Sequence, residues 1–368
     1  MAITSPPVIV PPQLIPTNLG ARSFASPPVA LQQQIVPNEL FFVRNHWKGA
    51  PQLDPATYRL VVEGAVERPL CLSFQELQQM PRKRLQVTFE CCGNGMVPSY
   101  WDKQIRLNTT EKITGHGIMG NAAWAGVSLA TVLERAGVQS TAQEVVFTGA
   151  DHGPDEVAGI PQEVTYERAL PLAKALHPDT LLAYEMNGEP LPLLHGFPLR
   201  LLVPGWYGMT SIKWLVGIRV IDHRFQGFYQ TERYMVQNGP GAPEFYTYLT
   251  AMKVKSIITN PAPGEIVRLG PYQVAGAAWS GEQEVVRVEV STDGGQSWWE
   301  ARLLPRVDYS WYRWQFDWQP AAAGQYLLMS RATNNRGETQ PLEFPNQWDG
   351  RPYGNNMVFP HLVVVRAL

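Results

Sequence analysis

Val87-Thr88-Phe89-Glu90-Cys91-Cys92-Gly93-Asn94-Gly95 is a short β-prone run that carries a cysteine and then breaks into glycines. The pattern predicts a thiol delivered to the end of a strand. The turn after it is free to pass close to a bulky group, because glycine has no Cβ and tolerates positive φ. A thiol so placed serves as a nucleophile, as a metal ligand, or as a buried apolar group. The flanking sequence has to decide among the three.

Upstream, Ser73-Phe74-Gln75-Glu76 is a capping box that starts a short helix, with Leu77 and Met80 on its apolar face and Pro81 beyond its end. Arg82, Lys83 and Arg84 lead from there into the cysteine strand. Tyr58 to Gly64 alternates like a half-buried strand and stops at glycine. Leu40-Phe41-Phe42-Val43-Arg44-Asn45-His46 is an apolar run that ends in a cation, an amide and an imidazole.

Downstream, a loop rich in Gly, Asn and Pro carries Tyr100, Trp101, Arg106, Lys112 and His116. Gly115 to Gly120 spells the dinucleotide fingerprint GxGxxG, but no strand precedes it and no helix opens at its second glycine, so a nucleotide site is not expected. Ser128 is expected to cap a helix with Leu129, Val132, Leu133 and Ala136 inward and Gly137 as its stop. Glu144 to Gly153 reads as a strand ending in polar groups, and Leu181 to Met186 as a strand closed by the Asn187-Gly188 turn. Leu194 to Gly208 holds one apolar strand flanked by His195, Arg200 and glycines, followed by Ser211, Lys213 and Trp214. Singly, each His or Arg reads as a satisfied structural group. Together, four strand ends near Arg44, Cys91, Asp151 and His195 carry polar groups beside irregular backbone, as in a pocket for a large polar cofactor.

The 368 residues suggest two domains, and a formal net charge of -2 leaves no footprint for nucleic acid or an anionic membrane. Cys71, Cys91 and Cys92 cannot build a disulfide framework. No apolar run is long enough to span a bilayer. The first 39 residues are rich in proline and read as an extended arm, either laid on a neighbouring surface or disordered. Taken as complete, the chain would be cytoplasmic; a leader removed before residue 1 would make it periplasmic.

Asp222 to Tyr248 reads as an irregular linker with Phe225, Phe228, Tyr229 and Tyr234. From Val254 the texture changes to short strands and turns, with alternation over Val285 to Val290 and Tyr309 to Trp318 and a hairpin at Asp293-Gly294-Gly295. This predicts an immunoglobulin-like β-sandwich without the antibody cysteine pair. Among Trp298, Trp299, Trp311, Trp314 and Trp318, most are expected in its core.

These blocks, taken together, resemble the sulfite oxidase family of molybdenum enzymes. The motifs that carry the resemblance are Phe-Phe-Val-Arg-Asn-His, Cys91-Cys92-Gly93-Asn94, Trp124-Ala125-Gly126, Leu182 to Gly188, His195-Gly196-Phe197-Pro198 and Lys213-Trp214. They run in family order from about Leu40, and Trp348 to Asn356 resembles the closing motif. The resemblance implies an α+β chain: a mixed α/β molybdopterin-binding domain over residues 40–250, then an immunoglobulin-like dimerisation domain over 251–368. Cys91 matches the cysteine that holds the metal, with Cys92 where relatives have a small residue. Arg44, His46, Asp151, His195, Arg200 and Lys213 match positions that contact the pterin and its phosphate or line the pocket, and backbone amides from Gly205 to Ser211 could add donors. Arg44 and Arg351 match arginines around the substrate.

The implied reaction is oxidation of sulfite to sulfate by oxygen-atom transfer. No haem-binding motif is found in this chain, so the electrons would leave to a separate acceptor such as a cytochrome. The implied assembly is a homodimer. One departure bears on the substrate: Gly95 and Met96 stand where animal and plant relatives carry paired arginines, and Thr114 falls nearest to a pocket tryptophan. The lost cation keeps open a molybdenum reductase of an S-oxide, N-oxide or nitrate. A non-enzymatic assembly module is the further alternative.

Overall fold

The computed structural model describes residues 13–17, 22–95, 117–157, 159–237, 246–342 and 353–367. The cysteine run is strand β6, Arg82–Glu90, and it pairs antiparallel with β7, Met119–Ser128, so that Glu90 faces Met119 at the end of the ladder. Beyond β7 lie β10, Leu181–Met186, and β11, Glu189–Pro190, with β12, Arg200–Leu202, also paired to β10. Every residue of β7 but Ser128 is buried, which a strand covered on both faces requires. The hairpin from β10 to β11 turns through Asn187 and Gly188, both at positive φ, as the Asn-Gly pair predicts. Gly126 of β7 is required by close approach: a Cβ there would stand 2.0 Å from the Leu182 carbonyl oxygen.

A second sheet has the order β5 (Leu70–Ser73), β4 (Arg59–Gly64), β13 (Leu215–Ile221), β8 (Glu144–Val157), β9 (Ile160–Pro171). The expected alternation in β4 is present, with Leu60 and Val62 buried between exposed neighbours. The capping box holds: the Glu76 amide donates to Ser73 Oγ and the Ser73 amide to Glu76 Oε2, starting the helix Phe74–Gln79. The helix Leu129–Ala136 forms and stops at left-handed Gly137, but Ser128 does not cap it with its side chain; that hydroxyl donates to the Pro178 carbonyl instead. Around Gly117 the chain enters a strand, so the fingerprint string has no helix behind it.

The described part of the proline-rich segment is folded onto the rest. Ser23–Ala25 and Val43–Arg44 form β2 and β3, β2 also pairs with β1 at Ile15–Pro16, and a short helix spans Pro28–Leu31. Ala30, Leu31 and Val36 are buried, and the Val36 amide donates to the Asn121 carbonyl. The linker also holds elements: the helix Phe228–Thr231 and the hairpin of β14, Met235–Gln237, with β15, Tyr246–Tyr248.

The C-terminal part is the expected sandwich. One sheet is β16 (Lys255–Asn260), β18 (Tyr272–Trp279), β22 (Tyr312–Trp318), β21 (Arg302–Leu303). The other is β17 (Ile266–Arg268), β24 (His361–Arg366), β23 (Gly324–Asn334), β19 (Val285–Ser291), β20 (Trp299–Glu300). Trp311, Trp314 and Trp318 are buried, whereas Trp299 is exposed and Arg331 lies over the Trp298 ring. The sandwich has its own apolar core around Val274, Val288, Trp314 and Leu328, while Ile257, Ala277, Trp279 and Trp311 pack with the interior of the larger part. A buried Ile257 contributes about 1.5–3 kcal/mol relative to exposure.

Candidate active site

Cys91 stands where the sequence pattern predicts, one residue past β6, and the chain turns through Cys92 to Gly95, whose φ is +87°. The Cys91 amide donates to the Ile118 carbonyl and the Asn94 amide to the Cys91 carbonyl, closing the turn. Cys91 opens into a pocket walled by Phe41, Phe42, Phe89, Tyr166 and Tyr234. Arg44, His46, Asp151, His195, Arg200, Ser211 and Lys213 all line that same pocket. Arg351, Met96, Arg106, Lys112, Thr114 and His116 lie outside the described residues.

Two positions are reached differently from the sequence expectation. Asp151 is not at a strand end, since β8 runs on to Val157; it sits in a bulge between Thr148 and His152, where the Ala150 amide donates to the Trp214 carbonyl. A bulge re-aims a side chain without ending the strand. His195 lies in the 3-10 turn Leu193–His195, and Arg200 opens β12. Gly196 between them has φ +106°, and a Cβ would press on Lys213 Cβ at 3.0 Å and Arg200 Cβ at 3.1 Å. The His-Gly-Phe-Pro motif therefore packs imidazole, guanidinium and ammonium into one corner.

Arg200 is wedged between the Phe89 and Trp124 rings, 4.9 Å from each centroid, and donates to the His195 and Ser211 carbonyls. Lys213 Nζ donates to the Leu194 and Arg44 carbonyls and to Asn45 Oδ1, joining three segments under the pocket floor. Ser211 Oγ accepts from the Val203 amide. The loop amides expected as free donors are already engaged at Trp206, Tyr207, Thr210 and Ser211, which donate to carbonyls of Val203, Thr250, Tyr207 and Gly208. Short turns satisfy their own amides and leave fewer for a ligand.

Burial sets the electrostatics. It draws the Lys213 ammonium down to about 7, reinforced by Arg200 and opposed by Asp151, and the Arg200 guanidinium to about 9. It pulls His195 down to about 3, with Lys213 and Arg200 adding to it, and holds His46 well below the usual imidazole range, helped by Arg44. Both rings are neutral at pH 7. Burial pushes the Asp151 carboxyl up to about 6. The Cys91 thiol moves the other way, to about 7, through the hydrogen bond with the Cys92 side chain, against the effect of burial. A pocket lined by Arg44, Arg200 and the partly protonated Lys213, with one weakened carboxylate, attracts anions.

Sequence reasoning did not place Tyr166 in the wall and left Tyr234 in the linker without a role. Tyr166, from β9, stacks on His46 with centroids 4.4 Å apart, and Tyr234, from the linker, hydrogen-bonds His46 Nε2 at 2.6 Å. Their only sequence signal is an aromatic-rich linker and one tyrosine in a strand.

The donor set suits a large anionic cofactor bound through sulfur. Asp151 Oδ1 and Arg200 Nε are buried without hydrogen-bond partners among the described residues, and Cys91 offers a soft, readily ionised ligand. Fold and pocket together define a cofactor-dependent oxidoreductase built from a mixed domain and a sandwich. The family model described as the oxidoreductase molybdopterin binding domain matches residues 47–229, and the Mo-co oxidoreductase dimerisation domain matches 247–365. The sulfite oxidase of Gallus gallus is 35% identical over 336 residues, covering 86% of this chain and 70% of that protein. The mitochondrial sulfite oxidase of Homo sapiens is 36% identical over 341 residues, and the match spans 86% of this chain but 59% of the human protein. The crystal structure of the sulfane dehydrogenase SoxCD from Paracoccus pantotrophus superposes with a TM-score of 0.79 at 29% identity, over 95% of this chain and 85% of that one. The chain belongs to the sulfite oxidase family of molybdopterin-dependent oxidoreductases.

Proposed function

We propose that this chain oxidises sulfite to sulfate and passes the electrons to a separate acceptor such as a cytochrome. The observation that carries this is the convergence of Cys91 with Arg44, Arg200 and Lys213 on one aromatic-walled pocket, in a chain of this family. When bound, the molybdenum cofactor supplies oxygen-atom transfer and a two-electron store.

The residues divide the remaining work. Cys91 would hold the metal through its thiolate. Arg200, whose Nε has no partner among the described residues, would meet the phosphate tail, with Lys213 adding charge behind it; neutral His46 and His195 would hydrogen-bond the pterin, with Asp151 accepting from its amino groups. Arg44 and Arg351 would neutralise the sulfur oxyanion. Phe41, Phe42, Phe89, Tyr166 and Tyr234 line the pocket and exclude water, which strengthens each of these charge interactions. We place the domain division at 250/251. We further propose a homodimer through the sandwich, whose β17–β24–β23 face presents the exposed Ile266 and Leu362.

The likeness to a sulfane dehydrogenase favours a second reading, in which a sulfane sulfur takes the place of sulfite. Metal analysis with dye-reduction assays on sulfite and on a persulfide separates the two. We expect stoichiometric molybdenum and sulfite-dependent turnover, lost in a folded Cys91→Ser variant. Sulfite turnover retained by Cys91→Ser would overturn the assignment.

A further inference from the structure

Glu90, the residue before Cys91, is 1% exposed, and each of its hydrogen-bond donors is buried too. Its Oε1 accepts from Lys255 Nζ at 2.6 Å and from Asn94 Nδ2 at 2.9 Å, and its Oε2 accepts from Trp279 Nε1 at 2.9 Å. Lys255 belongs to β16 and Trp279 to β18, and the two are direct partners in that antiparallel ladder. One cross-strand pair of the sandwich therefore aims both its donors at the carboxylate that precedes the cysteine. Lys255 Nζ also donates to the Asn94 carbonyl at 3.2 Å.

Other residues from beyond position 250 reach the same turn. The Gly354 amide donates to the Cys92 carbonyl at 2.8 Å, and Asn355 Nδ2 to the Gly95 carbonyl at 3.2 Å. On the edge of β6, the Thr88 amide donates to the Tyr309 carbonyl and the Tyr309 amide to the Gln86 carbonyl, so a sandwich loop also pairs with the strand that delivers Cys91. Among the described residues of the first domain, the turn is held by the Cys91, Asn94 and Ile118 backbone and the Asn94 side chain.

We propose that the sandwich is a working part of the metal-binding turn as well as an assembly module, with Lys255 as the positioning residue for Cys91. The inference rests on the reading of Cys91 as the metal ligand. A carboxylate buried next to a thiolate ligand is stabilised by a cation hydrogen-bonded to it, and Lys255, 2.6 Å from Glu90 Oε1, is placed to be that cation. Through Lys255 the state of the sandwich bears directly on the geometry of Cys91.

The test is amide hydrogen exchange on the whole chain, with and without metal, combined with molybdenum content. In Lys255→Met, exchange of a peptide spanning residues 88–95 should speed by about tenfold, the effect on local opening of losing a buried partner. Strand β10 should exchange as in the wild type, and molybdenum occupancy should fall. Glu90→Gln/Lys255→Met removes both charges and keeps one acceptor oxygen, enough for either Asn94 or Trp279, so it should recover part of the protection and of the metal. Asn355→Ala, which deletes a single bond to the turn, should speed exchange there by a few-fold and serves if Lys255→Met does not fold. Unchanged exchange over 88–95 in Lys255→Met, or in Asn355→Ala where Lys255→Met does not fold, or an equal rise in β10, would overturn the proposal. A wrong metal assignment shows separately, as sulfite turnover in Cys91→Ser with the exchange result intact.

Discussion

His46 Nε2 lies 2.6 Å from the Tyr234 hydroxyl oxygen at the wall of the cation-lined pocket. Burial holds the imidazole neutral and pushes the phenol's pKa up, so the neutral ring can accept the phenolic proton and fix the hydroxyl's direction. Tyr234→Phe keeps the ring packing and deletes that bond. It should lower kcat/KM for sulfite by about 10- to 100-fold, the range set by leaving one buried partner unsatisfied. Steady-state kinetics normalised to molybdenum content check this, and an unchanged kcat/KM would remove Tyr234 from the reacting site.

Lys213 joins three segments, and its loss leaves the Leu194 and Arg44 carbonyls and Asn45 Oδ1 without their common donor. Lys213→Met fills the volume without the charge. Metal-free protein should lose about 1–3 kcal/mol of stability in urea unfolding. The purified variant should also carry less cofactor than the wild type. Full stability and full occupancy together would show that the ammonium is dispensable.

Gly126 explains one part of the Trp-Ala-Gly motif without reference to chemistry. Gly126→Ala would drive a Cβ into the Leu182 carbonyl at 2.0 Å, in the sheet that carries Cys91. Overpacking of this kind costs about 1–3 kcal/mol and shifts backbone. The thermal midpoint should fall, with activity declining alongside the folded fraction. A midpoint equal to wild type would mean that the two strands can separate at no cost.

The cysteine turn was legible because its determinants are local: a β-prone run, a thiol, and glycines that permit positive φ at Gly95. The sandwich was legible for the same reason, through alternation in β19 and β22. The cation corner was reached through residue chemistry and family resemblance, because no periodicity places His195, Arg200 and Lys213 together. Asp151 was misplaced on a strand end because its bulge depends on pairing with the distant Trp214 carbonyl. The link from Lys255 to Glu90 joins residues 165 apart in sequence, and a lysine opening a strand gives no local sign that it will be buried. Contacts across the domain boundary are what single-sequence reading loses.

His195 gives the pH dependence its sign. Its folded pKa is about 3, lowered chiefly by burial and then by Lys213 and Arg200, against an ordinary value of 6.5. Between those values the unfolded chain binds the proton and the folded one does not, so protonation favours unfolding. The contribution to stability is full above pH 6.5 and is lost as pH falls toward 3, with a slope of at most about 1.4 kcal/mol per pH unit. Asp151, with its pKa raised to about 6, acts with the opposite sign over its lower range, so the comparison must isolate the imidazole. Urea unfolding of metal-free wild type and His195→Gln from pH 8 down to pH 4 does so. The stability gap between the two should narrow below pH 6.5. A gap that stays constant across that window would mean that His195 titrates alike in the folded and unfolded chain, and would remove burial as the control on its charge.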